Sequence, residues 1–281
     1  MQTFSHILFP VDFSARSAAA LPIVTSWAQR FHARVTLVHT VQIPITAYGG
    51  PDAYPVIIDT EAIEAGARRR LEQIAFPGAE RLVKVGDPAF EIVEFAEKNG
   101  VDLIMMPTHG YGAFRSLLLG SVAAKVLHDA HCAVWTSAHA EDFAGQTEIR
   151  SILCAIEIGP GAVELLRAAN ELAQSCQAKL RLVHAVVVDE TRPEKYLEAD
   201  LTAALVKMSR QEIADIQQHA GTSLEVSVEA GAVSRVVRDR VKEFDADLVV
   251  SGRGKLHATF GRLRSNGYAI IRDSPCPVLS I

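Results

Sequence analysis

Nothing in this chain is in marked excess, and several things are scarce. Lysine and arginine number 28 against 33 aspartates and glutamates, a net charge of −5. With no basic surplus to meet a phosphate backbone, nucleic acid is not an expected partner. Cysteine is rare: four residues, Cys132, Cys154, Cys176 and Cys276, with no CxxC pair. That usage points to reduced thiols in a cytoplasmic chain rather than to a disulfide framework. Long apolar runs are also lacking. The longest uncharged stretch, Val35 to Pro51, has 17 residues and is broken by two prolines and two glycines, so no membrane span is expected. The start, Met1-Gln2-Thr3-Phe4-Ser5-His6, carries no basic region, so no signal peptide is expected either. Glycine and proline (18 and 12) are too few for collagen-like or low-complexity chains, and 49% hydrophobic with 22% charged residues is an ordinary globular balance. At 281 residues the chain permits one large core or two domains of about 140 residues each.

Self-similarity decides between these. Ile7-Leu8-Phe9-Pro10-Val11-Asp12 resembles Ile152-Leu153-Cys154-Ala155-Ile156-Glu157 at an offset of 145. From His6 to Val41, 10 of 36 residues are identical to Ser151 to Val186 without a gap. The offset persists at Gly86 and Gly231 and at Asp102-Leu103 and Asp247-Leu248, then slips to 144 for Gly110 and Gly254, Ser121 and Ser265, Cys132 and Cys276. The chain is therefore read as a tandem repeat, residues 1–140 and 149–281, joined by a polar linker near Ser137 to Glu148.

Each half alternates short apolar β-branched runs with helical patterns, which predicts an α/β fold. The expected architecture is two open-sheet domains, each a mainly parallel five-stranded sheet with helices on both faces. In the first half the predicted strands are His6–Val11, Val35–Val41, Arg81–Gly86, Leu103–Pro107 and Ala133–Ser137. The helix after the third strand is the clearest: Asp87 as N-cap, Pro88 at its first position, a stripe of Ala89, Ile92, Val93 and Ala96, and Gly100 at its end. Gln42 to Thr60, with three prolines and two glycines, reads as a long loop.

The chemically suggestive segment is Met106-Pro107-Thr108-His109-Gly110, followed by Gly120-Ser121-Val122-Ala123-Ala124-Lys125. A helix opening on Gly-Ser offers bare backbone N–H groups and a hydroxyl, a seat for phosphate. In a parallel sheet ligands bind beyond the carboxyl ends of strands, where Asp12, Val41 and Gly110 all fall. The competing reading makes Gly110 and Gly120 a turn and a plain helix start. Other motifs fail. Gly110-Tyr111-Gly112-Ala113-Phe114-Arg115 puts Arg where a dinucleotide fingerprint needs glycine, and Ser251-Gly252-Arg253-Gly254-Lys255-Leu256 lacks the flanks of a Walker A loop. There is no GxSxG elbow and no HExxH helix. His39 and His184 recur at one strand position and read as packing rather than metal ligands. His128 and His131 flank a helix end, and Cys132 and Cys276 read as small packed hydrophobes.

On these residues each half resembles the universal stress protein domain: the opening strand through Asp12, the strand ending at Val41, and Gly110 followed after nine residues by Gly120-Ser121. The resemblance implies ATP, ADP or AMP as ligand, with Mg²⁺ held through the phosphates. It implies an adenosine side formed by Pro10, Val11, Asp12 and Val41 and a ribose–phosphate side formed by Pro107, His109, Gly110, Gly120, Ser121 and Val122. Pro107 stands where the family pattern has its first loop glycine. In the second half Glu157 replaces the Asp, Ser251 the first Gly and Arg264 the third Gly, so that half is expected to hold a degenerate site, with Arg264 reaching toward Glu157 or both side chains in solvent. The resemblance further implies a stress or signalling role for the adenine nucleotide and an intramolecular pseudo-dimer of the halves through their last strands, and it allows a homodimer. An interaction scaffold without nucleotide and a slow ATPase remain the rival functions; no catalytic residue and no metal ligand is assigned.

Overall fold

The computed structural model describes residues 4–42, 59–108, 119–138, 147–187, 195–253 and 262–281, the side chains of 195–199 and 262–265 excepted. The first repeat runs β1 (His6–Pro10), α1 (Ala15–Phe31), β2 (Arg34–Val41), α2 (Thr60–Glu72), β3 (Glu80–Val85), α3 (Pro88–Lys98), β4 (Leu103–Pro107), α4 (Ser121–Asp129) and β5 (Ala133–Ser137). The second runs β6 (Ser151–Ala155), α5 (Ala162–Cys176), β7 (Lys179–Val186), α6 (Lys195–Ala220), β8 (Val226–Ala230), α7 (Val233–Phe244), β9 (Leu248–Ser251), α8 (Arg262–Asp273) and β10 (Val278–Ser280). The chain divides into two compact units, one of Phe4–Phe114 with Gly120–Val134, the other chiefly Trp135–Ile281.

Strand order in the first repeat is β3-β2-β1-β4-β5, and in the second β8-β7-β6-β9-β10. The registered pairs of both repeats are parallel: β1 with β2 and β4, β2 with β3, and likewise β6 with β7 and β9, β7 with β8, and β9 with β10. Ile7, Leu8 and Phe9 are wholly buried, as are Leu103, Ile104 and Met105. That is why these strands read as unbroken apolar runs rather than alternating ones: helices cover both faces.

The α/β class and the five mainly parallel strands of each repeat are as the sequence predicts, with boundaries moved by a residue or so. β1 stops at Pro10 because the chain turns at Asp12, although Val11 N–H still donates to Val38 O at 2.8 Å. Asp87 caps α3, its carboxylate accepting Phe90 N–H at 2.9 Å, and Pro88 opens the helix. The buried stripe is Ala89, Ile92, Phe95 and Ala96, so Phe95 replaces the expected Val93, which lies half-buried; the larger ring fills more of the space beneath the helix. Of the expected loop from Gln42 to Thr60, residues 43–58 lie outside the described residues, and Thr60 already belongs to α2.

The Asp-Leu identity between the repeats has a structural cause. The Asp102 carboxylate accepts Ser5 N–H (2.8 Å) and His6 N–H (3.2 Å), pinning the start of β1 to β4. Asp247 does the same for β6, accepting Arg150 N–H at 2.7 Å and Ser151 N–H at 2.9 Å. Two acceptors placed one residue before β4 and β9 thereby satisfy N–H groups that the sheet ladder leaves over.

Candidate functional site

The order β3-β2-β1-β4-β5 contains a switch point. From β1 the chain moves outward through β2 to β3, then crosses back to place β4 on the other side of β1. At such a point the connections leave β1 and β4 in opposite directions, opening a crevice beyond their carboxyl ends. Asp12 follows β1, and Pro107 and Thr108 close β4, so both sides of this crevice carry residues singled out from the sequence.

The β1 side is a tight, polar turn. The Asp12 carboxylate accepts Ser14 N–H through Oδ1 at 2.9 Å; Ser14 in turn caps α1, its hydroxyl accepting Ser17 N–H at 3.1 Å. One carboxylate oxygen thus orders the turn, and the other has no hydrogen-bond partner among the described residues. Between them Phe13 takes φ 62°, a left-handed conformation rare for a bulky residue. Its ring packs at a tilt against His39, 4.4 Å between centroids, and lies under the Arg70 guanidinium at 4.0 Å, contacts that hold it there. Sequence reasoning missed Phe13 and Arg70. Phe13 directly follows Asp12, which was a signal; Arg70 comes from α2 and nothing in its local sequence gave a cue.

His39 stands near the end of β2, held by a backbone carbonyl. Its Nδ1 pairs with Val11 O at 2.7 Å, and His184 repeats this with Ile156 O at 2.9 Å. Each imidazole ties the end of one strand to the residue before the acidic position of its neighbour, so both are positioning groups, and no cluster of three metal-ligating side chains occurs among the described residues. Val41 is buried at the end of β2, and its carbonyl accepts Gly86 N–H at 3.0 Å, which leaves it one lone pair. Pro10 is half-buried and Val11 buried.

The β4 side is a helix start. Thr108 O accepts Gly120 N–H at 2.9 Å, which brings the opening of α4 back against the end of β4. Gly120 is the N-cap, at φ −59° and ψ 144°, and makes no side-chain cap bond. The first intrahelical bond is Ala124 N–H to Gly120 O at 2.9 Å. The N–H groups of Ser121, Val122 and Ala123 therefore point out of the helix with no protein acceptor among the described residues. Pro107 and Thr108 are buried, Ser121 is exposed and Val122 half-buried. Lys125, one turn on, is already engaged: its ammonium lies 3.2 Å from the Asp87 carboxylate. The capping bond from Phe90, seconded by Lys125, holds the Asp87 carboxyl below its ordinary value. His109 and Gly110, both proposed for this site, lie outside the described residues.

In the second repeat the same locus is built differently. Ile156 N–H still donates to Val183 O at 2.9 Å, but no serine cap follows. Gly159 (φ 154°) and Gly161 (φ 92°) carry the turn, and α5 begins at Ala162 with no side-chain cap. Glu157 reaches the surface, yet the protein packed around its carboxyl pushes its pKa up, with His184 pulling it back. Ser251 is buried at the end of β9. Gly254 and the side chains of Arg264 and Ser265 lie outside the described residues, as does the expected approach of Arg264 to Glu157. A recess of about 260 Å³, lined by Lys242, Asp245, Asp247 and Cys276 among others, sits before β9 and β10, at the end of the sheet opposite to this locus.

A switch point flanked by a strand-end carboxylate and an uncapped helix start belongs to an open parallel α/β fold. The universal stress protein family model matches residues 3–137 and again 148–281, and the chain belongs to that family as a tandem of two such domains. Universal stress protein A homolog 1 of Coxiella burnetii is 33% identical over 140 residues, 47% of this chain and 96% of that protein. A universal stress protein of Methanocaldococcus jannaschii is also 33% identical, over 138 residues covering 47% of this chain and 80% of that one. Among solved structures, a universal stress protein from Archaeoglobus fulgidus matches with a TM-score of 0.66 at 20% identity, covering 99% of this chain and 96% of that one. A functionally unknown protein from Pseudomonas aeruginosa PAO1 matches with a TM-score of 0.67 at 16% identity, over 100% and 93%. At these identities the structural likeness is one of fold.

Proposed function

We propose that the first repeat binds an adenine nucleotide, ATP or its ADP and AMP products, with Mg²⁺ carried by the phosphates, and that the protein serves a cytoplasmic stress or signalling role through that ligand. The observation that carries this is the uncapped start of α4 at Gly120, where three N–H groups face the switch-point crevice without a protein acceptor among the described residues. Such a start binds anions through its donors and its dipole together. Asp12, with one oxygen committed to Ser14, has the other to accept from a ribose or adenine group. His109 and Gly110 belong to this proposal on their place in the sequence alone. The set fits binding better than turnover, since the described residues around it hold no activated nucleophile and no paired carboxylates; hydrolysis would be slow.

The second repeat is proposed as degenerate, because its turn has lost the serine cap and its acid is a glutamate disfavoured in its charged form. The division at residues 140 and 149, and the pseudo-dimer of the two halves through their last strands, rest on the sequence repeat. A nucleotide-free scaffold is the second reading; the feature favouring it is the buried Pro107, where the family pattern has glycine. Calorimetric titration of the full chain with MgATP, paired with mass spectrometry of ligand released on denaturation, separates the two. One adenine nucleotide per chain is expected; none favours the scaffold, and two contradicts the degenerate second site.

A further inference from the structure

The turn after β1 is strained, and the matching turn of the second repeat is not. Phe13 sits at φ 62°, a left-handed conformation that a residue with a bulky side chain adopts only at a cost, so its surroundings must hold it there. Ile158 stands at the matching position of the second repeat and has no positive φ. There the turn is carried by Gly159 and Gly161, at φ 154° and 92°, which adopt such backbone without strain. Glycine would have given the first turn its shape more easily; phenylalanine adds a ring that other elements can grip. What the shape secures is Asp12. The bond from Ser14 N–H to Asp12 Oδ1, 2.9 Å long, spans Phe13, so the direction of the carboxylate follows the Phe13 backbone.

Two side chains grip the ring, and they differ in origin. His39 belongs to β2, whose register on β1 the sheet fixes, and its Nδ1 also ties down Val11 O at 2.7 Å, just before Asp12. Arg70 comes from outside the sheet, from the last turn of α2, and lays its guanidinium over the Phe13 ring at 4.0 Å. A basic residue at a helix end ordinarily offsets the helix dipole, and α2 has two there, Arg69 and Arg70. Arg69 lies back along its own helix, one guanidinium nitrogen 3.9 Å from where a Cβ on Gly66 would stand. Arg70 instead leaves α2 to meet the turn that carries Asp12. The two arginines thus have the same charge and neighbouring positions, and only one of them touches the site.

Resting on the reading that the first repeat binds an adenine nucleotide, we infer that Arg70 is a positioning residue for that site. It holds Phe13 in the left-handed turn and so fixes the Asp12 carboxylate before the ligand arrives, which leaves less to order on binding. The test is calorimetry of the full chain with MgATP. Arg70→Ala, at an exposed position, should keep the fold in a thermal melt and weaken binding about threefold or more. Arg69→Ala removes the same charge from the same helix end and should leave the affinity unchanged. Asparagine enters the left-handed region readily and has no ring to clamp. In a Phe13→Asn background, Arg70→Ala should therefore cause no further loss, an outcome that neither a direct contact of Arg70 with the nucleotide nor a general role in α2 would give. Amide exchange of Ser14, read by NMR without nucleotide, should quicken in Arg70→Ala and not in Arg69→Ala. Wild-type affinity in Arg70→Ala, an equal loss in Arg69→Ala, a loss that persists beside Phe13→Asn, or unchanged Ser14 exchange overturns the inference and leaves nucleotide binding standing. A wild type that binds no adenine nucleotide overturns both.

Discussion

Replacing Gly120 by aspartate would separate the ligand seat from the fold. Gly120 holds φ −59° and ψ 144°, a conformation open to any residue, and it is the N-cap of α4. Aspartate is among the best N-caps: its carboxylate would accept the second or third N–H of the helix, and it outranks glycine there by about 0.3 kcal/mol. Stability should therefore hold or rise slightly. Binding should collapse for the same reason. The donors proposed to meet phosphate would be taken, and a fixed negative charge would occupy their place. A hydrogen bond to a charged group contributes about 1.5–3 kcal/mol, so losing two removes about 3–6 kcal/mol, or about 10²- to 10⁴-fold in Kd. Calorimetry with MgATP reads the affinity and a thermal melt reads the fold; Gly120→Arg, which brings in the residue found at the matching position 264, should also abolish binding by filling the space. ATP affinity within about threefold of wild type, with an unchanged melt, would refute the seat at α4.

Three further outcomes follow from the geometry. Gly86 (φ 153°) and Gly231 (φ 144°) occupy matching turns, and a Cβ on Gly86 would lie 2.8 Å from Glu91 Oε1, so Gly86→Ala should cost about 1–3 kcal/mol in denaturant unfolding. His6 is buried, with Nε2 on Thr36 Oγ1 at 2.9 Å, and burial lowers its pKa below 6.5. The unfolded chain then binds the extra proton more readily, so stability is full above pH 6.5 and falls as pH drops through the lowered pKa; His6→Gln should flatten that slope in pH-dependent melts. Burial pushes the Cys154 and Cys276 thiols up to about 12, so with a thiol reagent at pH 8 Cys132, the one half-exposed cysteine, should react first, and all four should react only in denaturant.

Much of this was legible one residue at a time. The tandem repeat, the parallel strands and the Asp87–Pro88 helix start are local or periodic signals, because burial on both faces writes a continuous apolar run and a cap writes its own residue. The repeat also predicted the paired histidines, though not that each would clamp the carbonyl before the acidic position. Phe95 in place of Val93 was not legible, since both fit the helical period and only the depth of space under α3 chose the ring. Nor was the pairing of Lys125 with Asp87, from a segment 38 residues away.

The sequence by itself determined the class of the chain, its two-fold internal repeat and which residues stand at strand ends and helix starts. These are matters of order along the chain, and order alone decides them. Only the tertiary structure decided that β4 crosses over to the free side of β1. It also decided that Thr108 draws the bare start of α4 to that strand end, and that Phe13 is held in a left-handed turn between His39 and Arg70. Those facts depend on contacts between segments a dozen or more residues apart, whose energies arise only once the sheet has brought them together.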